Sequence, residues 1–168
     1  MPYYGVNLDT FDFLWLGINT TPEDQAIGND YWFQNGGKLL DELPVTNAQV
    51  INTWHRTVSE TPDGKAGYVV YADFRYGDGV TGEQQYDAYY AYAQAAQKLG
   101  DVAGRKMIWP SMGVTPGWDY DYVQAVFTST ITDYGKNWSS VWSAAEEMPE
   151  YEALEALGGS CENQRSFA

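Results

Sequence analysis

The chain's only histidine, His55, is the first residue to consider for chemistry, because an imidazole titrates close to neutrality. A carboxylate could replace it as a general base only with a strongly shifted pKa. His55 lies on a stretch that is predicted to form a strand, where a single histidine has a structural role more often than a catalytic one. Both roles stay open, and His55 is the candidate catalytic residue.

Six further residues are predicted to bind a ligand: Trp54, Arg56, Tyr71, Asp73, Arg75 and Trp109. Alternation along a strand places Asp73 and Arg75 on one face together with Tyr71. Because an unpaired buried charge is costly, these two charges either pair within the fold or bind a polar group of a ligand. A pocket that also contains tryptophan rings would suit a flat or sugar-like ligand through stacking.

The other residues that could do chemistry do not form a recognisable metal or cofactor motif. Asp119-Tyr120-Asp121 lacks the glycine and the terminal glutamate of a calcium loop. Residues 77–82 have the wrong length for a phosphate-binding loop and contain no lysine. Cys161 is the only cysteine, so an intrachain disulfide and a thiolate metal cluster are excluded by count. We therefore predict no metal and no cofactor.

Composition and charge limit the classes of partner. The net charge of −14 over 168 residues argues against nucleic acid and against anionic membrane surfaces. No stretch reaches the roughly 18 apolar residues of a membrane span, so no membrane insertion is predicted. An aromatic content of 16% favours a single packed domain over residues 1–168, with an aromatic-lined pocket or a core with wet edges. The expected compartment is the cytoplasm if the N-terminus is native, and the protein is exported if a signal peptide has been removed.

The elements that must position these residues repeat weakly, at a spacing of about 54 residues. Thr61-Pro62-Asp63-Gly64 precedes Tyr68-Val69-Val70, and the same kind of turn, Thr115-Pro116-Gly117-Trp118, precedes Tyr122-Val123. Trp54 and Trp109 lie just upstream of the two turns. The period predicts three units of strand, helix and strand, at about residues 10–60, 66–114 and 120–168.

Each unit has local signals for its elements. In the first, an apolar run over residues 11–18 predicts a strand, Thr21 caps a helix towards Leu43, and residues 50–58 return. In the second, residues 66–76 alternate, Thr81-Gly82-Glu83-Gln84 matches a capping box, and residues 105–109 return until Pro110 limits the ladder. In the third, residues 120–131 form a strand, Thr132-Asp133 caps a helix, and the tail at 161–167 returns to the sheet.

The predicted fold class is therefore α+β, with ferredoxin-like β-α-β units repeated three times and an antiparallel sheet covered by helices. The paired units, the Tyr-Val strand openings and the aromatic helices resemble the dimeric α+β barrel superfamily over about residues 10–167. That resemblance implies ligand pockets between the sheet and the helices. It also implies activities that include those of cofactor-independent monooxygenases and isomerases.

Three functions remain open on these grounds. The first is the binding of a small aromatic or apolar ligand by a homo-oligomer, in an aromatic-lined cavity. The second is a cofactor-independent monooxygenase or isomerase with His55 as base, in which Trp54, Tyr71 and Trp109 pack the substrate. The third is a structural, self-assembling interaction protein. The helical aromatic residues are assigned to the core or an interface, with a pocket wall as the alternative: Tyr86, Tyr89, Tyr90, Trp138 and Trp142.

Overall fold

The computed structural model of the protein describes residues 16–44, 52–112 and 119–168. These residues belong to two compact units, one formed by residues 16–44 and the other by the two remaining ranges. The smaller unit contains helix α1 (Pro22–Asp41). Thr21 caps it as predicted, since its Oγ1 accepts a hydrogen bond of 3.1 Å from the backbone N–H of Asp24. Of the strand predicted at 11–18, residues 11–15 lie outside the described residues, and residues 16–18 have no regular structure.

The larger unit is built on one five-stranded sheet. Its strands are β1 (Asn52–Ser59), β2 (Tyr68–Arg75), β3 (Gly104–Met112), β4 (Tyr122–Thr128) and β5 (Ser160–Phe167). They are ordered β1-β3-β4-β2-β5, and every neighbouring pair is antiparallel. The predictions of an α+β class and of an antiparallel sheet are therefore confirmed.

Helices connect the strands on one face of this sheet. Helix α2 (Gly82–Lys98) follows β2 and has the predicted capping box, in which the side chains of Thr81 and Gln84 each bind the other's backbone N–H. After β4 comes a continuous helical segment made of α3 (Ile131–Lys136), a π-helical turn (Asn137–Trp142) and α4 (Ser143–Ala145). Helix α5 (Pro149–Glu155) completes the layer. The cap of α3 is Thr130, two residues before the predicted Thr132.

The three repeated units are not confirmed by the connectivity. From β2 to β5 the chain runs strand, helix, strand, strand, helical segment, strand, which is one pair of β-α-β units. Strand β1 stands outside this pair and adds to the sheet beside β3. There Trp54 pairs with Trp109, so the two tryptophans that the sequence spacing aligned are cross-strand neighbours. The predicted return of the tail is confirmed, because β5 pairs with β2.

Pro110 does not end strand β3. The ladder between β3 and β4 ends at the pair Ile108–Val123, two residues before the proline. The ladder between β3 and β1 continues through Thr53–Pro110 to Asn52–Met112. The predicted early end near Pro110 is therefore seen in the ladder between β3 and β4, but not in the ladder between β3 and β1.

The two faces of the sheet differ in what they contact. The helix-bearing face packs against α2 and α4 in a core made of nine buried side chains: Val58, Tyr86, Tyr89, Tyr92, Ala93, Ala96, Met107, Tyr122 and Ala145. The opposite face has His55, Tyr71, Asp73 and Arg75, which alternate with the core-facing residues of their strands. A ligand site in this unit must therefore be assigned to one face or the other.

Candidate ligand-binding cleft

A partly open cavity of about 290 Å³ lies between the helix-bearing face of the sheet and the helices. We call it the aromatic cleft, after the seven aromatic residues that line it: Phe74, Tyr89, Tyr92, Tyr134, Trp138, Trp142 and Tyr151. Strands β2, β3, β4 and β5 form its floor, and α2, the helical segment from α3 to α4, and α5 form its walls. All of these elements belong to the larger unit.

Helix α2 forms one wall through residues at helical spacing. Gln85, Tyr89 and Tyr92 lie at intervals of four and three residues, so their side chains share one face of the helix. Gln85 is 2% exposed and Tyr89 is 4% exposed. The capping box at Thr81 fixes where the helix begins, and this in turn fixes which face these residues present to the sheet.

The π-helical turn shapes the second wall. Tyr134, Trp138 and Trp142 are spaced by four residues, and Tyr134 lies 5.0 Å from Trp142 between ring centroids. Trp138 lies 5.7 Å from Trp142 and remains 64% exposed, so it forms the mouth of the cleft. Single π-helical turns are rare, and many of those that occur lie at functional sites. The hydroxyls of Ser139 and Ser140 donate to the carbonyl oxygen of Lys136, which occupies this acceptor at the start of the turn.

Three buried polar atoms of the cleft form no hydrogen bond of good geometry within the described residues, although Tyr89 OH lies beside Arg105 and Gln85 lies beside Tyr122 OH. They are Gln85 Oε1, Tyr89 OH and Trp142 Nε1. Tyr122 OH, behind them in the core, is a fourth such atom. Buried polar groups in folded proteins are nearly always paired, and leaving one unpaired costs about 1 to 3 kcal/mol. Three such groups in one cavity are candidates for hydrogen bonds to water or to a bound molecule.

Polar atoms of the same kinds just outside the cleft do form hydrogen bonds. Among the described residues, the lack of such bonds is therefore confined to the cleft and its immediate core. Tyr86 lies on α2 three residues before Tyr89, and its hydroxyl donates to the carbonyl oxygen of Thr57 at 2.9 Å. Trp109 Nε1 donates to the hydroxyl of Tyr76 at 2.7 Å. The fold thus gives a tyrosine and a tryptophan just outside the cleft a hydrogen bond of good geometry, whereas inside it Trp142 Nε1 has none in the described part of the chain and Tyr89 OH has only the nearby Arg105.

The phenols of the cleft remain protonated at neutral pH. Burial raises the pKa of Tyr89, and the nearby charge of Arg105 only partly offsets this. Burial, with a smaller contribution from Tyr68, raises the pKa of Tyr134 to about 12. Both hydroxyls can therefore donate as well as accept a hydrogen bond.

A buried ion pair forms part of the floor. Arg105 and Asp101 are bound to each other with side chains that are 2% and 0% exposed. Asp101 also accepts from Asn137 Nδ2 at 2.6 Å and from the backbone N–H of Ala103 at 2.8 Å. Arg105 donates further to the carbonyl oxygen of Ala103 at 3.1 Å and to Ser59 Oγ at 3.4 Å. Its charge is therefore neutralised within the fold.

Three of the residues predicted from the sequence lie on the helix-bearing face but outside the cleft. Arg56 stacks over the ring of Tyr86 at 3.4 Å and pairs with Glu83 at 2.8 Å. Trp109 is held by Tyr76, and Trp54 beside it is 54% exposed. The structure therefore brings Trp54, Arg56 and Trp109 together along the β1 side of the sheet.

The other predicted residues lie on the opposite face. His55, Ile108, Val123 and Asp73 form one row across the sheet, which separates His55 from Asp73 by three strand spacings, roughly 14 Å. Strands β3 and β4 lie between them. The structure thus does not bring His55 together with Asp73, nor with the neighbouring residues of β2, Tyr71 and Arg75.

Asp73 and Arg75 are each paired, but not with each other. Asp73 binds Arg165 at 2.8 Å and accepts from Asn163 Nδ2 at 3.1 Å. Arg75 binds Asp119 at 2.8 Å and Glu162 at 2.9 Å. Most of these partners come from β5. The charged groups of Asp73 and Arg75, which were predicted to bind a ligand, are therefore bound within the fold.

The cleft residues themselves were assigned by sequence reasoning mainly to the core or an interface. A signal was present in the spacing of Tyr134, Trp138 and Trp142, which repeats an aromatic residue every four positions. A second was Gln85, a polar residue on the apolar side of α2. Neither signal reveals whether a buried polar atom finds a partner, because this depends on the packing of distant segments.

Comparison with protein-family models, with curated proteins and with solved structures finds no match to this chain. Within residues 16–44, 52–112 and 119–168, no three side chains of the ligating kinds are grouped so that they could hold a metal ion. In the same residues, none of the helices has the length and the apolar character needed to cross a membrane.

Proposed function

We propose that the protein binds a small, flat organic molecule in the aromatic cleft. The observation that carries this proposal is the group of three buried polar atoms without a hydrogen bond of good geometry, Gln85 Oε1, Tyr89 OH and Trp142 Nε1, in a partly open cavity walled by aromatic rings. Ligand sites generally combine apolar and aromatic walls with a few well-placed polar groups. The cleft has both features.

The size and the polar pattern limit the ligand. A volume of about 290 Å³ is at the lower end of small-molecule sites, which suits a molecule of one or two rings. Trp142 Nε1 can only donate, Gln85 Oε1 can only accept, and Tyr89 OH can do both. The ligand we propose therefore carries at least one acceptor and one donor on a planar body.

The topology supports placing the larger unit with ferredoxin-like proteins, again as a proposal. The strand–helix–strand pair from β2 to β5 has the connectivity of that fold, and its strands are ordered β3-β4-β2-β5. A resemblance to the dimeric α+β barrel superfamily implies a pocket between the sheet and the helices, which is where the cleft lies. Self-association, which the same resemblance implies, is tested by native mass spectrometry.

The test of binding uses the indole N–H signals of the protein labelled with ¹⁵N. Titration with 4-methylphenol and with 2-naphthol should shift the signal of Trp142, whose N–H gains an acceptor, and should leave that of Trp109, which already donates to Tyr76. The Trp142 signal is identified by its loss in Trp142→Phe. Tyr89→Phe should weaken binding, while Tyr86→Phe, on the same helix but outside the cleft, should not.

Two outcomes would contradict the proposal. One is that neither phenol shifts the Trp142 signal at millimolar concentration. The other is that Tyr86→Phe weakens binding as much as Tyr89→Phe does, because binding would then not depend on the cleft.

The enzymatic alternative with His55 as base receives no support from a particular observation. His55 lies on the face of the sheet that the cleft does not use. A base acting on a molecule in the cleft would have to be another group. Unchanged binding of 2-naphthol by His55→Ala would agree with this placement.

A further inference from the structure

We infer that the flat ligand of the aromatic cleft carries an alkylammonium group, whose positive charge lies at the mouth of the cleft between the rings of Tyr134, Trp138 and Trp142 and the carboxylate of Glu155. This inference rests on the proposed function, and it adds the charge of the ligand, which the three buried polar atoms alone do not define.

The rings at the mouth are arranged as walls. Tyr134 meets Trp142 at an interplanar angle of 85°, and Trp138 meets Trp142 at 69°. In edge-to-face pairs of this kind the edge of one ring meets the face of the other, and the ring faces that remain open to the cleft are available to a ligand. Each face carries the negative part of the ring's quadrupole and attracts a cation, most strongly when the ring is an indole.

The charges that line the cleft favour the same sign of ligand. Its lining contains two charged side chains, Arg105 and Glu155. Arg105 is neutralised by Asp101, whereas Glu155 forms no ion pair within the described residues. Glu155 has a hydrogen-bond partner in the neutral Tyr151, so the described lining has one carboxylate whose charge is not neutralised and no cation free to oppose a positive ligand.

The pKa of Tyr151 indicates the same negative surroundings. Its ring lines the cleft, and its pKa is raised by burial and then by the charges of Glu155 and Glu146. Both carboxylates thus lie close enough to disfavour a further negative charge at this side of the cleft. The net charge of −14 acts in the same direction at longer range.

An anionic ligand would lack a binding group here. The guanidinium of Arg105 already donates to Asp101, to the carbonyl oxygen of Ala103 and to Ser59 Oγ. To bind an anion it would have to give up these bonds inside the protein. A neutral ligand meets no such obstacle, so the comparison that tests the inference is between a cation and its uncharged isostere.

The experiment titrates choline and its uncharged isostere, 3,3-dimethylbutan-1-ol, at low salt, and follows the indole signal of Trp142. Choline should bind about tenfold more tightly, which is the range expected for a cation held by several rings and one carboxylate. Glu155→Gln should lower the affinity for choline several-fold and leave that for the alcohol unchanged. Glu152→Gln is the matched control, because Glu152 lies on the same helix, exposed and outside the cleft.

A second pair of variants tests the rings. Trp138→Leu should reduce the affinity for choline, while Trp54→Leu, which removes another exposed indole on β1, should not. Trp138 is largely exposed, so its loss does not threaten the fold. Near-unchanged far-UV circular dichroism for both variants confirms this.

The outcomes separate this inference from the proposed function. If 2-naphthol or the alcohol binds in the cleft and choline binds no more tightly than the alcohol, the ligand is not a cation and the proposed function stands. If Glu155→Gln leaves choline binding unchanged, the inference is likewise overturned. If neither choline, the alcohol nor either phenol shifts Trp142, the proposed function fails together with it.

Discussion

The two faces of the sheet use polar side chains in opposite ways. On the face with His55, Asp73 and Arg75 are bound by partners from β5 and from Asp119. On the face beneath the helices, Trp142 Nε1 is buried without a partner in the described residues, and Gln85 Oε1 and Tyr89 OH are buried without a hydrogen bond of good geometry. The difference teaches that charged residues which look functional in a sequence are a weaker indication of a site than polar atoms left unsatisfied by the fold.

The largest difference between the two faces is expected in the free energy of unfolding when the buried ion pair in the cleft floor is broken. Asp101→Asn should lower the free energy of unfolding by about 3 to 5 kcal/mol, because Arg105 is then left charged and buried without its carboxylate. Urea denaturation measures the loss. Asp119→Asn is the control on the Arg75 cluster, and its effect should be far smaller because Glu162 continues to bind Arg75.

Equal losses from the two aspartate variants would contradict this ranking. They would mean that the network around Asp101, including its hydrogen bond from Asn137, contributes no more than an exposed ion pair. The cleft floor could not then be regarded as a rigid, neutral base for a ligand.

The second prediction concerns the opposite face. Asp73→Asn should cost about 1 to 2 kcal/mol, because Asp73 is buried and its charge-assisted bond to the half-buried Arg165 is weakened. A double-mutant cycle with Arg165→Met measures the coupling directly. We expect the two single changes to be clearly non-additive. Additive effects would mean that Asp73 is not stabilised by this pair, and a role in ligand binding would again have to be considered.

Whether a feature could be predicted from the sequence depends on how far apart along the chain its interacting residues lie. Helix α2 and its capping box depend on contacts within a few residues, and both were predicted at Thr81 and Gln84. The return of the tail as β5 followed from a spacing. In contrast, Asp73 is paired with Arg165, 92 positions away, and such a pairing cannot be deduced from either residue alone.

The interpretation as three equivalent units could not be corrected from the sequence either. Whether β1 pairs within its own unit or with β3 depends on which edge of the sheet is open to it. The spacing that aligned Trp54 with Trp109 corresponds to paired positions on neighbouring strands, and the connectivity does not confirm three complete units. An aromatic-lined cavity was expected from the sequence, but the full set of residues that line the cleft was not, because the cleft is the space left when distant aromatic side chains pack.

The third prediction compares two tyrosines on one helix. Tyr86→Phe should destabilise the protein by about 1 kcal/mol, because the hydrogen bond to Thr57 is lost. Tyr89→Phe should cost less than this in the absence of ligand, because its buried hydroxyl forms no hydrogen bond of good geometry and has only the nearby Arg105. Thermal unfolding of the two variants gives the comparison. A loss of stability in Tyr89→Phe as large as that in Tyr86→Phe would show that this hydroxyl is hydrogen-bonded within the fold, and would weaken the case for the cleft.

The smallest effect is expected at His55, the residue from which acid–base chemistry was first predicted. Partial burial lowers its pKa below the ordinary value of 6.5, helped by the charge of Lys106 and opposed by that of Glu60. The folded state therefore binds the proton less well than the unfolded state does, and stability rises with pH through this window and falls as the pH drops below 6.5. His55→Gln should remove this component, so that its unfolding midpoint falls less than that of the wild type between about pH 7.5 and pH 5. The carboxylates titrate alike in both proteins and cancel in the comparison. An equal or steeper fall in His55→Gln would mean that the histidine is stabilised in its charged form, which would point to an acidic partner on this face and reopen it as a site.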